Sequence, residues 1–280
     1  MQEPKSENIL PKVYGRLPSN KVADFIYTLL ASTFLWFYTS LYRLRESYRH
    51  VSYRISRRKY TNITPQQVRT HVAELPKIPQ HVGFILNYND LNGFKGVLEA
   101  ATEVCAWTLG AGSSRLTIYE RTGCLKREDL QSLADVFTSS LRKYFGRQNV
   151  PHIIFRKGRE YVEAGDVGDT ALTVQFLSEC DGKPFMVDLA KEFSLELAQG
   201  NLKEEDITIE RIHKLTLERV GDEPDLMVTF NSYLDLEGFS PWLARICELY
   251  CLPDNDNNFG FQVFMEALKN FANVKVNLGS

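Results

Sequence analysis

Several things that would decide the class of this chain at once are missing. Five cysteines (Cys105, Cys124, Cys180, Cys247 and Cys251) make an odd count with no repeating spacing. That excludes a small disulfide framework and suits a reducing compartment. No His or Cys pair completes a zinc set. Cys247 and Cys251, four positions apart, are expected to share a helix and to pack as apolar side chains. A net charge of -2 lacks the basic excess that a general nucleic-acid binder needs to neutralise phosphates, so no nucleic-acid partner is expected. What remains is ordinary: 280 residues, 44% hydrophobic and 24% charged, enough for one sizeable domain plus extensions.

Charge is unevenly spread, and its one long gap is informative. Phe25–Tyr42 reads FIYTLLASTFLWFYTSLY without a charge. A bilayer core needs about twenty apolar residues, so the spacing predicts a short membrane helix over 25–42. Tyr27, Trp36, Tyr38 and Tyr42 suit the interfaces. Thr28, Ser32, Thr33, Thr39 and Ser40 dilute the run and can bond back to helix carbonyls. The same composition also fits a helix lying in the interface, or a long signal segment. Beyond it come Arg43, Arg45, Arg49, Arg54, Arg57, Arg58 and Lys59 against the single acid Glu46. The positive-inside rule then puts the C-terminal part in the cytosol, with the basic stretch on an anionic leaflet.

Four segments follow: an N-terminal tail over 1–24, the membrane helix over 25–42, a basic juxtamembrane segment and linker over 43–75, and a domain over 76–280. Within the domain, His81–Leu86 has strand length. Phe94, Val97, Leu98, Ala101, Val104, Cys105 and Thr108 then fall on one helical face, ended by Gly110 and Gly112. Arg115–Glu120 reads as a strand, Lys126–Phe145 as a helix, Leu172–Ser178 as a strand and Lys183–Ala198 as a helix. Ile207–Val220 is a further helix, Asp225–Phe230 a strand and Phe259–Ala272 the last helix. The stretch from Gln148 to Thr170 reads as an excursion, a hairpin or a loop. Strands alternating with helices predict an α/β fold, with a mostly parallel central sheet flanked by helices. Ligands of such sheets sit at the carboxyl ends of the strands.

Those ends carry recognisable pieces: His81-Val82-Gly83-Phe84-Ile85-Leu86-Asn87-Tyr88-Asn89-Asp90-Leu91, then Tyr119 to Arg127, Ser178 to Lys183, Pro224 to Val228, and Leu236-Glu237-Gly238-Phe239-Ser240-Pro241-Trp242. In order, spacing and placement they resemble the cis-prenyltransferase (undecaprenyl diphosphate synthase) superfamily, from Leu75 to the C terminus. The turn around Thr122-Gly123 and the stretch Leu236–Trp242 resemble its non-catalytic, Nogo-B-receptor-like branch. Taken alone, Thr122-Gly123 reads equally well as a tight turn before a helix, and the Pro-Trp corner as core.

The departures matter more than the matches. The family's magnesium-holding aspartate falls on Asn87, its glycine on Tyr88 and its arginine on Leu91. Its paired arginines give way to Thr229-Phe230-Asn231-Ser232-Tyr233. A neutral amide is a poor ligand for a hard divalent cation. A tyrosine ring blocks close backbone approach to phosphate. Loss of arginine removes a bidentate clamp on diphosphate. Asp90, as a displaced ligand, is a weak substitute.

The resemblance implies an obligate but not independently catalytic subunit of a ditrans,polycis-polyprenyl diphosphate synthase at the endoplasmic reticulum membrane. Its implied partners are a catalytic cis-prenyltransferase subunit, in a heterodimer or higher heteromer, and membrane lipid. Isopentenyl diphosphate would bind at the shared site, and Mg2+ in the partner's active site. The family's C-terminal motif falls on Asn277, Leu278 and Gly279, implied to contact diphosphate in trans, with asparagine where the arginine stands, as in fungal-type members. Leu236, Gly238, Phe239, Pro241 and Trp242 are implied at the subunit interface. A membrane adaptor that binds a protein without a role in synthesis is the other reading.

Overall fold

The structure is a computed structural model that describes residues 21–59, 63–253 and 258–274. Two compact units divide the chain, Met1–Ser52 and Tyr53–Ser280.

Lys21–Lys59 form one helix, α1. Its apolar side chains from Phe25 to Leu44 are exposed. Ser32 and Thr33 donate to the carbonyls of Leu29 and Leu30, and Thr39 to those of Leu35 and Trp36. At about 100° per residue, Thr28, Ser32 and Thr39 form a narrow stripe, and exposed apolar side chains occupy the rest of the circumference with Ser40 and Thr33 among them. No helix among the described residues is long and apolar enough to cross a membrane. The expected helix over 25–42 lies within the longer α1, its apolar run diluted by hydroxyls and tyrosines.

In the second unit, seven strands form one sheet: β1 (His81–Leu86), β2 (Arg115–Glu120), β3 (Pro151–Lys157), β4 (Glu160–Ala164), β5 (Val167–Leu177), β6 (Leu226–Thr229) and β7 (Glu248–Cys251). Their order is β4-β3-β5-β2-β1-β6-β7. Every neighbouring pair is parallel except the β3–β4 hairpin. The six residues of β1 are all buried, as expected of a strand covered on both faces. Phe84 at its centre packs against Phe230 and Phe264, whose ring centroids lie 6.0 and 5.3 Å away. Trp107 joins them, stacked on Phe259 at 5.1 Å.

Helices α2 (Pro65–Val72), α3 (Phe94–Ala111), α4 (Cys124–Arg127), α5 (Leu130–Phe145), α6 (Lys183–Ala198), α7 (Ile209–Arg219) and α8 (Phe261–Asn273) complete the domain. Five expectations need correction. The stretch that reads as a linker contains α2, started by Thr64 and Gln67 in a reciprocal cap and held by fully buried Val68. Gly110 lies inside α3, where a Cβ would meet Val68 and the Pro65 backbone at 2.8–2.9 Å. Only Gly112, at φ 82°, ends that helix. The helix read from Lys126 is broken by Asp129, which caps α5 through the Ser132 N–H. The stretch from Gln148 to Thr170 does hold a hairpin, β3–β4, but β3 pairs with β5 and so belongs to the sheet; and Cys251 lies on edge strand β7 with Cys247 just before it, not on a helix.

Candidate functional site

The parallel strands β1, β2, β5 and β6 end together, and the expected site residues follow them. Asn87, directly after β1, donates from Nδ2 to Glu237 Oε1 at 3.1 Å. Its Oδ1 accepts the N–H groups of Asn89 at 3.0 Å and Asp90 at 3.4 Å, shaping the turn that carries Tyr88. Asn231, just beyond β6, donates to the same Glu237 Oε1 at 3.3 Å. Thr229 is buried and accepts the Asn231 N–H at 3.3 Å. Leu91 packs against the main core. The space enclosed by Ile85, Asn87, Asp90, Leu91, Phe230, Asn231 and Phe259 measures about 10 Å³, room for a single water.

Glu237 was not legible as a site residue, yet it gathers this end of the sheet. Its backbone sits at φ 52°, in the left-handed region that costs a side-chain-bearing residue about 1 kcal/mol. The Asp235 carboxylate accepts its N–H at 2.8 Å, and the Tyr119 hydroxyl donates to its carbonyl at 2.7 Å. Burial, with the Glu179 carboxylate nearby, pushes the Tyr119 phenol well up, so it remains a donor. A magnesium ion does not fit these residues: the carboxylate facing Asn87 is already engaged by two amide donors. Among the described residues, no group of three or more His, Cys, Asp or Glu side chains is placed to hold a metal.

The neighbouring turns are built structurally. Glu120, buried at the end of β2, accepts from the Thr122 N–H and hydroxyl and from the Cys124 N–H, each at 2.8 Å. Burial, with Glu120 beside it, pushes the Cys124 thiol up to about 12. After β5, Asp181 accepts from Ser178 and pairs with Lys126. A Cβ on Gly182 would run into the Gly238 carbonyl, so the two turns lie backbone to backbone. Asp225, in the fourth matched piece, lies at the opposite end of the sheet, accepting from Gln80 and His81 N–H.

Of the expected interface residues, Phe239 is buried edge-on against Tyr119 at 5.4 Å. Leu236 packs partly buried on the same small cluster. Those two hold the loop to its own domain. Gly238 and Pro241 are exposed, and Trp242 is half-buried, with Nε1 3.2 Å from His213 Nδ1. Asn277, Leu278 and Gly279 lie outside the described residues.

Fold and site together define a parallel α/β scaffold whose strand ends are closed by amide and carboxylate groups. No protein-family profile matches the chain. It is 34% identical over 240 residues to the dehydrodolichyl diphosphate synthase complex subunit NUS1 of Saccharomyces cerevisiae, covering 77% of this chain and 63% of that one. The Schizosaccharomyces pombe subunit nus1 is 29% identical over 213 residues, covering 76% and 81%. An isoprenyl transferase of Listeria innocua is 25% identical over 233 residues, covering 74% and 92%. The chain belongs to the cis-prenyltransferase superfamily and, within it, is a homologue of the dehydrodolichyl diphosphate synthase complex subunits.

Proposed function

We propose that this chain is the non-catalytic accessory subunit of a heteromeric cis-prenyltransferase. The complex would make dehydrodolichyl diphosphate, a long-chain polyprenyl diphosphate, from farnesyl and isopentenyl diphosphates for dolichol synthesis and protein glycosylation. The observation that carries this reading is Asn87, tied to Glu237 on a scaffold homologous to such subunits. The space among the described residues at Asn87 and Asn231, about 10 Å³, supports this reading, being smaller than a diphosphate. A catalytic partner would hold the magnesium and perform the condensation. This chain would stabilise that partner and lend it Asn277, Leu278 and Gly279. The asparagine amide and the unobstructed glycine N–H would favour diphosphate by hydrogen bonding rather than by charge.

Attachment to the cytosolic face of the endoplasmic reticulum membrane belongs to the same proposal. Helix α1, with exposed aromatic and aliphatic side chains around most of its circumference, supports membrane attachment. The basic residues between Arg43 and Lys59 would lie on anionic headgroups.

The test is polyprenyl diphosphate synthesis, with magnesium and both substrates, by the chain alone, by the catalytic subunit alone and by the co-expressed pair. The pair should exceed the catalytic subunit by about tenfold or more, a difference of about 1.4 kcal/mol, and the chain alone should give background. Synthesis by the chain alone overturns the reading. No gain in the pair shifts the reading to the membrane adaptor. Deleting Asn277–Ser280 should depress synthesis while leaving the pair assembled.

A further inference from the structure

Three features at the strand ends converge on one side chain. The Glu237 carboxylate receives two carboxamides, from Asn87 after β1 and Asn231 after β6. Its backbone is held in a left-handed conformation by Asp235 and Tyr119. The loop it belongs to exposes Tyr233 and Leu234, at 65% and 50%, while burying Phe239. A strained, side-chain-bearing residue whose N–H, carbonyl and carboxylate are all engaged marks a conformation fixed by its surroundings for a purpose.

We propose that Glu237 closes the strand-end site from within: its carboxylate stands against Asn87, and through that contact it fixes loop 231–243 in the shape a partner subunit meets. Asparagine at 87 is then required, and is more than a lost metal ligand. An aspartate there would set two carboxylates about 3 Å apart, and both cannot stay ionised at that distance. The amide instead supplies the proton that the carboxylate needs, and its Oδ1 carries the following turn. Glu237 is thus a positioning residue. It touches no substrate, and its effect on synthesis passes through the loop. The partner-facing half of this inference rests on the proposed function. The closure itself does not.

A charge-swap cycle on the full chain tests the closure without a partner. Asn87→Asp should lower the melting temperature by roughly 4–8 °C, and Glu237→Gln by roughly 2–4 °C, on the scale of a domain this size. The double variant, which restores one acid facing one amide, should return to within about 2 °C of the parent. Losses that simply add in the double variant overturn the closure. So does binding of inorganic diphosphate with magnesium to the parent chain, detected by calorimetry and abolished by Asn87→Ala.

In the co-expressed pair, Glu237→Ala should weaken co-purification of the catalytic subunit by about tenfold while the chain stays folded by circular dichroism. Undiminished co-purification and synthesis overturn the loop's role even where the cycle shows coupling. A parent pair that gains no synthesis over the catalytic subunit overturns the proposed function instead, and leaves the cycle standing.

Discussion

The two ends of the parallel strands are both tied by polar side chains, but in opposite manners. At the N-terminal end, buried His81 places Nδ1 3.0 Å from the Glu223 carbonyl and Nε2 2.8 Å from the Thr117 hydroxyl. The carbonyl can only accept, so Nδ1 carries the proton and Thr117 donates to Nε2. Asp225 accepts the N–H groups of Gln80 at 2.8 Å and His81 at 2.9 Å. Every partner there lies on a strand or directly beside one. At the C-terminal end, Asn231 is buried and Asn87 and Glu237 are half-buried, and a loop supplies the carboxylate. In the first arrangement His81 and Thr117 are buried, while Asp225 and Gln80 are exposed to solvent. In the second, the polar groups at the strand ends have found each other.

The contrast can be attacked from its strongest point downward. Burial pulls the His81 imidazole down to about 4, so the folded state binds its proton less readily than the unfolded chain, whose value is near 6.5. The stability this contributes is complete above pH 6.5 and is lost as the pH falls towards 4. Urea unfolding at stepped pH should show a decline of about 3 kcal/mol across that window, and His81→Gln should flatten it. Asn87→Ala takes a donor from the half-buried Glu237 carboxylate and should cost about 2 kcal/mol at pH 7, read in the same way. Asp225→Ala, at the exposed end, should cost only about 1 kcal/mol, because water can replace part of what is lost. If Asp225→Ala proves as damaging as Asn87→Ala, exposure does not distinguish the ends and the contrast fails. Trp242→Phe, which removes the contact with His213, should cost about 0.5 kcal/mol and mark the lower limit of the series.

Much of the sheet was legible because its strands announce themselves. His81–Leu86 and Arg115–Glu120 match their predicted limits, and Lys183–Ala198 is the helix expected. Helix α2 was hidden because its residues are mostly polar, and only Pro65, Val68 and Val72 are buried. Strand β7 was hidden by cysteines at helical spacing, whereas its residues are half-buried along a sheet edge. The substitutions at Asn87, Leu91 and Thr229 were visible from the motif order. What replaced them was not, since nothing local links Asn87 to a glutamate 150 positions further on. The left-handed turn that brings Glu237 back depends on Asp235 and Tyr119, a tertiary condition with no short-range signature.

The sheet order also sets a timetable for the growing chain. On one side, β1 is joined by β2 across a short span, as the contact between Gln80 and Ser114, 34 positions apart, shows. Its other side waits for β6, with His81 and Asp225 separated by 144 positions. At ordinary rates of synthesis, about 5–20 residues per second, the central strand spends roughly 5–20 s with one row of backbone donors and acceptors open to any neighbouring strand. The most deeply buried strand of the finished domain is therefore the one longest at risk of mispairing on the ribosome.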